Sequence, residues 1–164
     1  VKMPRIYVGT YNAYNEGSIK GAWLDLEDYD NHDAFMTACR ELHADEHDPE
    51  CMFQDFEGIP REFIGECYLK PEFWDYMNCD IDDEVKEAYM YLFDEWNEDR
   101  CRDSYFGEFD NRTKMAEHLV DETGLLGEIP ENLQCYFDYE AYGRDMELGG
   151  DVFEHNRHWF WRNY

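Results

Sequence analysis

The net charge of −26 at pH 7 is the feature that most restricts what this chain can fold into. Forty Asp and Glu residues stand against fourteen Lys and Arg residues in a chain of 164 residues. Such a charge is typical of disordered chains, unless enough apolar surface can be buried to offset the repulsion. Hydrophobic residues make up 43% of this chain and aromatic residues 18%, which is enough for a packed core. We therefore expect a folded polyanion.

The same charge argues against two classes of function. Proteins that bind nucleic acids meet the phosphate backbone with clustered Lys and Arg, and modules that bind anionic membranes also need basic residues. We therefore expect no direct nucleic-acid binding and no membrane association. The chain contains no apolar run long enough to span a bilayer and opens without a signal-peptide pattern, so the predicted localisation is cytoplasmic.

Turn residues divide the chain into three segments that share the charge almost equally. Residues 1–60 carry a net charge of −9, residues 61–103 carry −9 and residues 104–164 carry −8. We predict an N-terminal strand-rich domain, a central helical domain and a C-terminal α+β domain with these boundaries. The predicted fold class is therefore α+β.

Apolar spacing predicts the elements of the first two segments. Asn31 or Asp33 is expected to cap a helix that extends to about His43. Strands are expected at 5–11, 19–26 and 51–57, the first two forming a hairpin with a long loop. Helices are expected at 62–68, 71–78 and 82–102, the last as one continuous amphipathic helix.

The last segment is predicted to mix both types of element. Asn111 can cap a helix that ends at Gly124, and residues 131–146 follow as one or two short helices with Gly143 as a possible break. Residues 151–153 and 158–161 are expected to form a closing pair of strands.

No motif supports a metal site or a catalytic centre. Four potential zinc ligands are spaced four residues apart: Cys39, His43, His47 and Cys51. On a helix they would spread over about 18 Å, too far for one ion, although Pro49 would break such a helix and reopen a partial site. No P-loop, dinucleotide fingerprint or nucleophile elbow is present. We predict no metal, no cofactor and no enzymatic activity, with the cysteines as reduced structural thiols.

A folded polyanion can bind what DNA binds. The 26 net charges equal the phosphates of about 13 base pairs, or about 44 Å of duplex. Carboxylates spread along a fold at roughly phosphate spacing could occupy a DNA-binding groove lined with Lys and Arg. Two alternatives remain open: a halophilic protein whose acid serves hydration, and an acidic protein-interaction adaptor without DNA mimicry.

Three stretches of the chain resemble one protein family. GEIPENLQCYFDYEAYGRDMEL at Gly127–Leu148 resembles the signature region of the ArdA-type antirestriction proteins of conjugative plasmids and transposons. IYVGTYNAYNEGSIKGAWLDL at Ile6–Leu26 is similar to that family's opening hairpin, and HLVDETGLLGEIP from His118 leads into the signature. The middle third matches mainly in its acidity and helical character.

The resemblance implies an elongated protomer of three small units that forms a homodimer, with the signature region near the dimer interface. It implies a DNA mimic that occupies the DNA-binding groove of type I restriction-modification enzymes, in their specificity and methyltransferase subunits, and thereby inhibits restriction. The modification activity of the same enzymes would be a further target of the inhibition. The carboxylates expected to stand in for phosphates are Asp25, Glu27, Asp28, Asp30, Asp83, Glu84, Glu87, Asp94, Glu95, Glu98, Asp99, Asp121, Glu122, Asp138 and Glu140. The candidate dimer contacts are Leu133, Tyr136, Phe137 and Tyr139.

Overall fold

The computed structural model describes residues 2–163 and divides between Asp83 and Glu84 into two compact units. Each unit contains one three-stranded antiparallel sheet accompanied by helices, which confirms the α+β class. No helix within residues 2–163 is both long and apolar enough to cross a membrane. The three-domain boundaries proposed from the sequence remain a prediction.

The sheet of the N-terminal unit has the strand order β2-β1-β3. Strand β1 (Arg5–Thr10) pairs antiparallel with β2 (Ala22–Asp25) and with β3 (Cys51–Glu57). The three predicted strands are therefore confirmed, with shorter bounds for the first two. The long loop of the hairpin contains a one-turn helix, α1 (Tyr11–Asn15), because the Thr10 hydroxyl accepts a hydrogen bond from the third residue of that helix.

Helix α2 (His32–Leu42) confirms the first predicted helix and identifies its cap. Asn31 is the N-cap, since its side-chain oxygen accepts a hydrogen bond of 2.8 Å from the backbone N–H of Ala34. The ring of Phe35 is fully buried and lies 6.0 Å from the rings of Phe53 and Trp74. These aromatic contacts join α2 to the sheet and to helix α3 (Glu72–Asn78), which matches the prediction for 71–78.

The prediction of a helix at 62–68 is wrong. The segment forms a single 3-10 turn, Arg61–Phe63, followed by an isolated antiparallel bridge between Ile64 and Leu69. The backbone N–H of Phe53 donates to the carbonyl of Glu66 at 2.7 Å. The N–H of Gly65 donates to the carbonyl of Tyr68 at 2.9 Å, so this turn and the single bond to β3 satisfy backbone groups that a helix would have satisfied internally.

The continuous helix predicted at 82–102 is also wrong, because the chain forms two helices there. Helix α4 (Asp83–Phe93) ends before Asp94, whose φ of 59° is left-handed, and α5 (Glu98–Ser104) begins after a turn. Asn97 caps α5 through a hydrogen bond of 2.9 Å from the N–H of Arg100. The apolar stripe nevertheless extends past the break, because Trp96 packs edge-on against Tyr89 with ring centroids 5.7 Å apart.

The sheet of the C-terminal unit has the strand order β4-β6-β5. Strands β5 (Val152–His155) and β6 (His158–Trp161) confirm the predicted closing pair. Strand β4 (Tyr105–Glu108) was not predicted, since it is only four residues long and contains Gly107, which weakens a strand signal.

Three helices complete the C-terminal unit: α6 (Arg112–Thr123), α7 (Glu131–Gln134) and α8 (Tyr139–Leu148). The predicted cap at Asn111 and the end at Gly124, whose φ is 64°, are both confirmed.

Gly143 lies inside α8 and does not break it. A Cβ atom there would lie 2.7 Å from the carbonyl oxygen of Arg112, so glycine permits the close contact between α6 and α8. The core beneath these helices is formed by Met115, Leu119, Val152 and Trp159.

Candidate functional site

One group of candidate carboxylates follows strand β2 in the N-terminal unit. Leu26 is fully buried, its N–H donates to the carbonyl of Pro4 at 3.0 Å, and it begins a 3-10 turn. Further along, the indole N–H of Trp74 donates to the carbonyl of Tyr29 at 2.9 Å. These contacts fix the backbone at Leu26 and Tyr29, and the acidic side chains between and beside these two residues project into solvent. The exposed carboxylates are Asp25, Glu27, Asp28 and Asp30.

A second group lies on α4, on α5 and on the turn between them. Val85, Ala88 and Tyr89 of α4 are buried, and the acidic residues occupy the remaining surface of that helix. Burial raises the pKa of Tyr89 to about 12, so this phenol adds no negative charge near neutral pH. Glu98 is half-buried. The exposed members are Asp83, Glu84, Glu87, Asp94, Glu95 and Asp99.

Glu84 differs from its neighbours because a buried histidine lies beside it. His158 is 4% exposed; its Nε2 lies 3.5 Å from a carboxylate oxygen of Glu84 and its Nδ1 lies 3.1 Å from the hydroxyl of Tyr105. The buried histidine can therefore orient the Glu84 carboxylate from the protein side. A cleft of about 380 Å³ opens at this point, lined by Glu84, Glu87, Asn156, Arg157 and His158.

The third group occupies α6 and the start of α8. Asp121, Glu122, Asp138 and Glu140 are all exposed. Asp138 also has a structural role, since its carboxylate caps α8 by accepting a hydrogen bond of 3.0 Å from the N–H of Ala141. One oxygen of this carboxylate is therefore engaged at the helix N-terminus, while the exposed carboxylate can still attract a cationic partner.

Some acidic residues of the chain are neutralised by its own cations. Arg102 lies 2.7 Å from Glu98, and Arg100 lies 3.7 Å from Glu95. Arg112 lies 3.7 Å from Glu140. Exposed ion pairs of this kind stabilise a protein by about 0.2–1 kcal/mol each. A strongly cationic partner can therefore displace these arginines and pair with the glutamates itself.

Other ion-paired acids lie outside the candidate set, and in two of them the pairing lowers the pKa of the carboxyl. The Arg5 guanidinium donates to Glu57 at 3.0 Å and holds the pKa of that carboxyl below its ordinary value. The Lys20 ammonium does the same for the pKa of Asp45 at 2.6 Å. Both carboxylates therefore remain ionised and engaged within the chain.

The candidate dimer residues differ in their exposure. Tyr136 is 81% exposed and Leu133 is 49% exposed. Phe137 is half-buried, with its ring 5.0 Å from that of Tyr139 and 5.7 Å from that of Tyr142. Leu133 and Tyr136 can therefore contact another molecule directly, whereas Phe137 and Tyr139 support the local structure.

Sequence reasoning missed two further exposed apolar side chains, Leu125 and Ile129. They precede α7 and share one short stretch of chain with Leu133 and Tyr136. We call these four residues the signature patch. The signal that could have identified them was the density of apolar residues between two helices in a strongly acidic chain.

The zinc alternative gains no geometric support. His43 is buried and its Nε2 lies 3.0 Å from the carbonyl oxygen of Val8, so this nitrogen already has a partner. Within residues 2–163, no three His, Cys, Asp or Glu side chains are placed to hold one metal ion.

Comparison with known proteins identifies the family. A protein-family model described as Antirestriction protein (ArdA) matches residues 6–160, which includes the middle third where the resemblance was weakest. No curated protein matches the chain. Because the family model spans nearly the whole sequence, this chain belongs to the ArdA antirestriction protein family.

Proposed function

We propose that this protein is a DNA mimic that inhibits type I restriction-modification enzymes by occupying the DNA-binding groove of their specificity and methyltransferase subunits. The observation that carries this proposal is the exposure of fourteen of the fifteen candidate carboxylates, displayed by folded elements of both units. A groove that binds the phosphates of DNA with Lys and Arg can bind such carboxylates by the same electrostatic attraction. The protein acts by binding, without catalysis and without contacting nucleic acid itself, and it acts in the cytoplasm.

Fixed carboxylates favour a mimic over the version of the acidic protein-interaction adaptor that binds through a flexible segment. Buried residues such as Leu26 and Tyr89 anchor the elements that carry the acids. A partner that binds them loses little conformational entropy, whereas a flexible acidic segment would have to be ordered on binding. The acids are also distributed along the chain, which suits an extended groove better than a single docking patch.

The proposal is tested by competition with DNA. A purified type I methyltransferase is bound to a labelled duplex that carries its recognition sequence, and this protein is then added while the complex is followed by electrophoretic mobility shift. We expect the duplex to be released as the protein binds in its place. Polyglutamate of equal total charge is the control and should release far less DNA. A ternary complex of enzyme, DNA and this protein would contradict groove occupancy.

We further propose that the active unit is a homodimer that forms through the signature patch. Clustered exposed apolar residues mark interaction surfaces in soluble proteins, and these four exposed residues lie within twelve positions of the chain. A second copy of the chain offers the same apolar side chains, so that a two-fold contact would bury them against one another.

The dimer is tested by placing a charge in the patch. We expect Tyr136→Asp to shift the sedimentation coefficient toward that of the monomer, because the interface would have to bury an unpaired carboxylate. Phe137→Asp should do the same if the supporting ring also contacts the partner. Tyr14→Asp is the matched control, since Tyr14 is an exposed tyrosine of the N-terminal unit. An unchanged dimer in both signature variants would remove this region from the interface.

A further inference from the structure

Helix α4 packs on one face of the C-terminal sheet, and two histidines of that face lie against it. His155 of β5 and His158 of β6 are paired across the strands, so their side chains share one face of the sheet. The ring of His155 stacks on that of Tyr91 with centroids 3.8 Å apart, while Nε2 of His158 lies 3.5 Å from a carboxylate oxygen of Glu84. The sheet therefore contacts α4 through an imidazole at both places.

A second contact fixes the ring of His158. The residue is 4% exposed, and its Nδ1 lies 3.1 Å from the hydroxyl oxygen of Tyr105 on β4. An ionised carboxylate offers no hydrogen of its own, so Glu84 favours the neutral tautomer that carries the hydrogen on Nε2. In that tautomer Nδ1 accepts a hydrogen bond from the Tyr105 hydroxyl. Tyr105 thus holds one side of the ring while the other side faces Glu84.

We propose that Glu84 is the anchoring carboxylate of α4 for a cationic side chain of the type I enzyme, that His158 is its positioning residue, and that protonation of His158 weakens binding. This role rests on the proposed function and gives the carboxylates of the surface unequal weights. The Glu84 side chain is 70% exposed and lines the cleft of about 380 Å³, so a partner can reach it. A carboxylate that is already oriented loses less conformational freedom on binding than an unsupported one.

The charges around His158 determine the effect of its protonation. Arg157 precedes it in the chain and is already paired with Glu108 at 2.9 Å and with Asp110 at 3.2 Å. An imidazolium at His158 would therefore form an internal ion pair with Glu84, which lies against the ring, and would cancel the charge that attracts the partner. The other charged or titratable groups on the elements packed around His158 are Lys86 and Glu87 of α4, Tyr105 and Glu108 of β4, and His155 of β5.

The anchoring role is tested with single and double variants in a methyltransferase inhibition assay. We expect Glu84→Gln to weaken inhibition about tenfold, and Glu87→Gln less than about fivefold, because an oriented charged group gains more from a hydrogen bond than an unsupported exposed pair does. His158→Phe should weaken inhibition several-fold in the wild-type background and by less than about twofold in the Glu84→Gln background, since it acts through that carboxylate. Equal effects of His158→Phe in both backgrounds would overturn the positioning role.

The pH dependence is tested with a side chain that can donate a hydrogen bond and cannot titrate. Histidines ordinarily gain a proton between about pH 8 and pH 5. From about pH 7.5 to about pH 5.5, inhibition by the wild-type chain should therefore weaken about fivefold more than inhibition by His158→Gln. Measuring both proteins against the same enzyme at each pH cancels the titration of the enzyme. His155→Gln is the matched control and should keep the wild-type profile. Parallel profiles of the wild-type chain and His158→Gln would overturn the pH dependence.

A third measurement uses the full chain without the enzyme. At about pH 7.5, long-range ¹H–¹⁵N NMR spectra should show neutral His158 with its hydrogen on Nε2, and Tyr105→Phe should allow the other tautomer to appear. A hydrogen on Nδ1 in the wild-type chain would overturn the positioning geometry. If the wild-type chain does not inhibit the enzyme at all, the proposed function fails and the anchoring role fails with it. Inhibition that is unaffected by Glu84→Gln and by His158→Phe would overturn the anchoring role alone.

Discussion

Replacing five exposed carboxylates of α4, α5 and their connecting turn by amides is expected to weaken inhibition of a type I enzyme by about 5- to 5,000-fold. An exposed ion pair is worth about 0.2–1 kcal/mol, so five together supply about 1–5 kcal/mol of binding energy. A single Glu87→Gln or Glu95→Gln should change inhibition by less than about fivefold for the same reason. The inhibition constant is measured in a methyltransferase assay. The substituted residues are Glu84, Glu87, Asp94, Glu95 and Asp99.

A control with the same change of net charge separates the row of carboxylates from overall acidity. Five exposed acids outside the candidate set are replaced by amides, and circular dichroism verifies the fold of each variant. Equal weakening by the control would show that total charge matters and position does not. Complete loss of inhibition from one exposed substitution in an intact fold would point to a single anchoring residue instead. The control residues are Glu16, Asp33, Asp48, Glu72 and Asp75.

Rising salt is expected to weaken binding of this protein to a type I methyltransferase less than it weakens binding of DNA. Displacement of condensed counterions makes the affinity for duplex DNA fall with a log–log slope of about −0.9 per phosphate neutralised. The carboxylates of the protein cover a wider body and are partly offset by fourteen basic residues, several of them in ion pairs such as Arg102 with Glu98. Fewer counterions are therefore condensed on the protein and released from it.

The difference should be large over an ordinary range of salt concentration. Between about 50 and 200 mM salt, a DNA complex with 6–10 phosphate contacts loses about 10³–10⁵ in affinity, whereas a ligand with half that slope loses about 30- to 300-fold. The protein should thus become the better competitor as salt rises. Both ligands are titrated against the same enzyme at several salt concentrations. A flat response for the protein would favour binding outside the groove.

Elements with strong local signals were predictable from the sequence. Helices α2 and α6 each begin after an asparagine whose side chain caps the first turn, and α6 ends at a glycine in the left-handed region. Strand β3 and the closing hairpin were recognisable from alternating and aromatic residues. Caps and short-range alternation act over a few residues, so the sequence contains the information directly.

Elements that depend on distant partners were not predictable. Residues 64–69 fold back on themselves through the bridge between Ile64 and Leu69, and the carbonyl of Glu66 accepts a hydrogen bond from Phe53 of β3. The stripe expected to form one helix is divided because Asp94 adopts a left-handed conformation and Asn97 caps a new helix, while Trp96 turns back onto Tyr89. Periodicity reports which side chains are buried together and cannot report that the backbone turns between them.

The sequence by itself determined the polyanionic character, the α+β class, the family and the residue types available for a phosphate-like surface. Only the tertiary structure decided which acids are anchored or neutralised, as His158 lies beside Glu84 and Arg5 pairs with Glu57. The physical reason is that charge and composition are sums over the chain, whereas each of these contacts joins residues far apart in sequence and exists only once the backbone has folded.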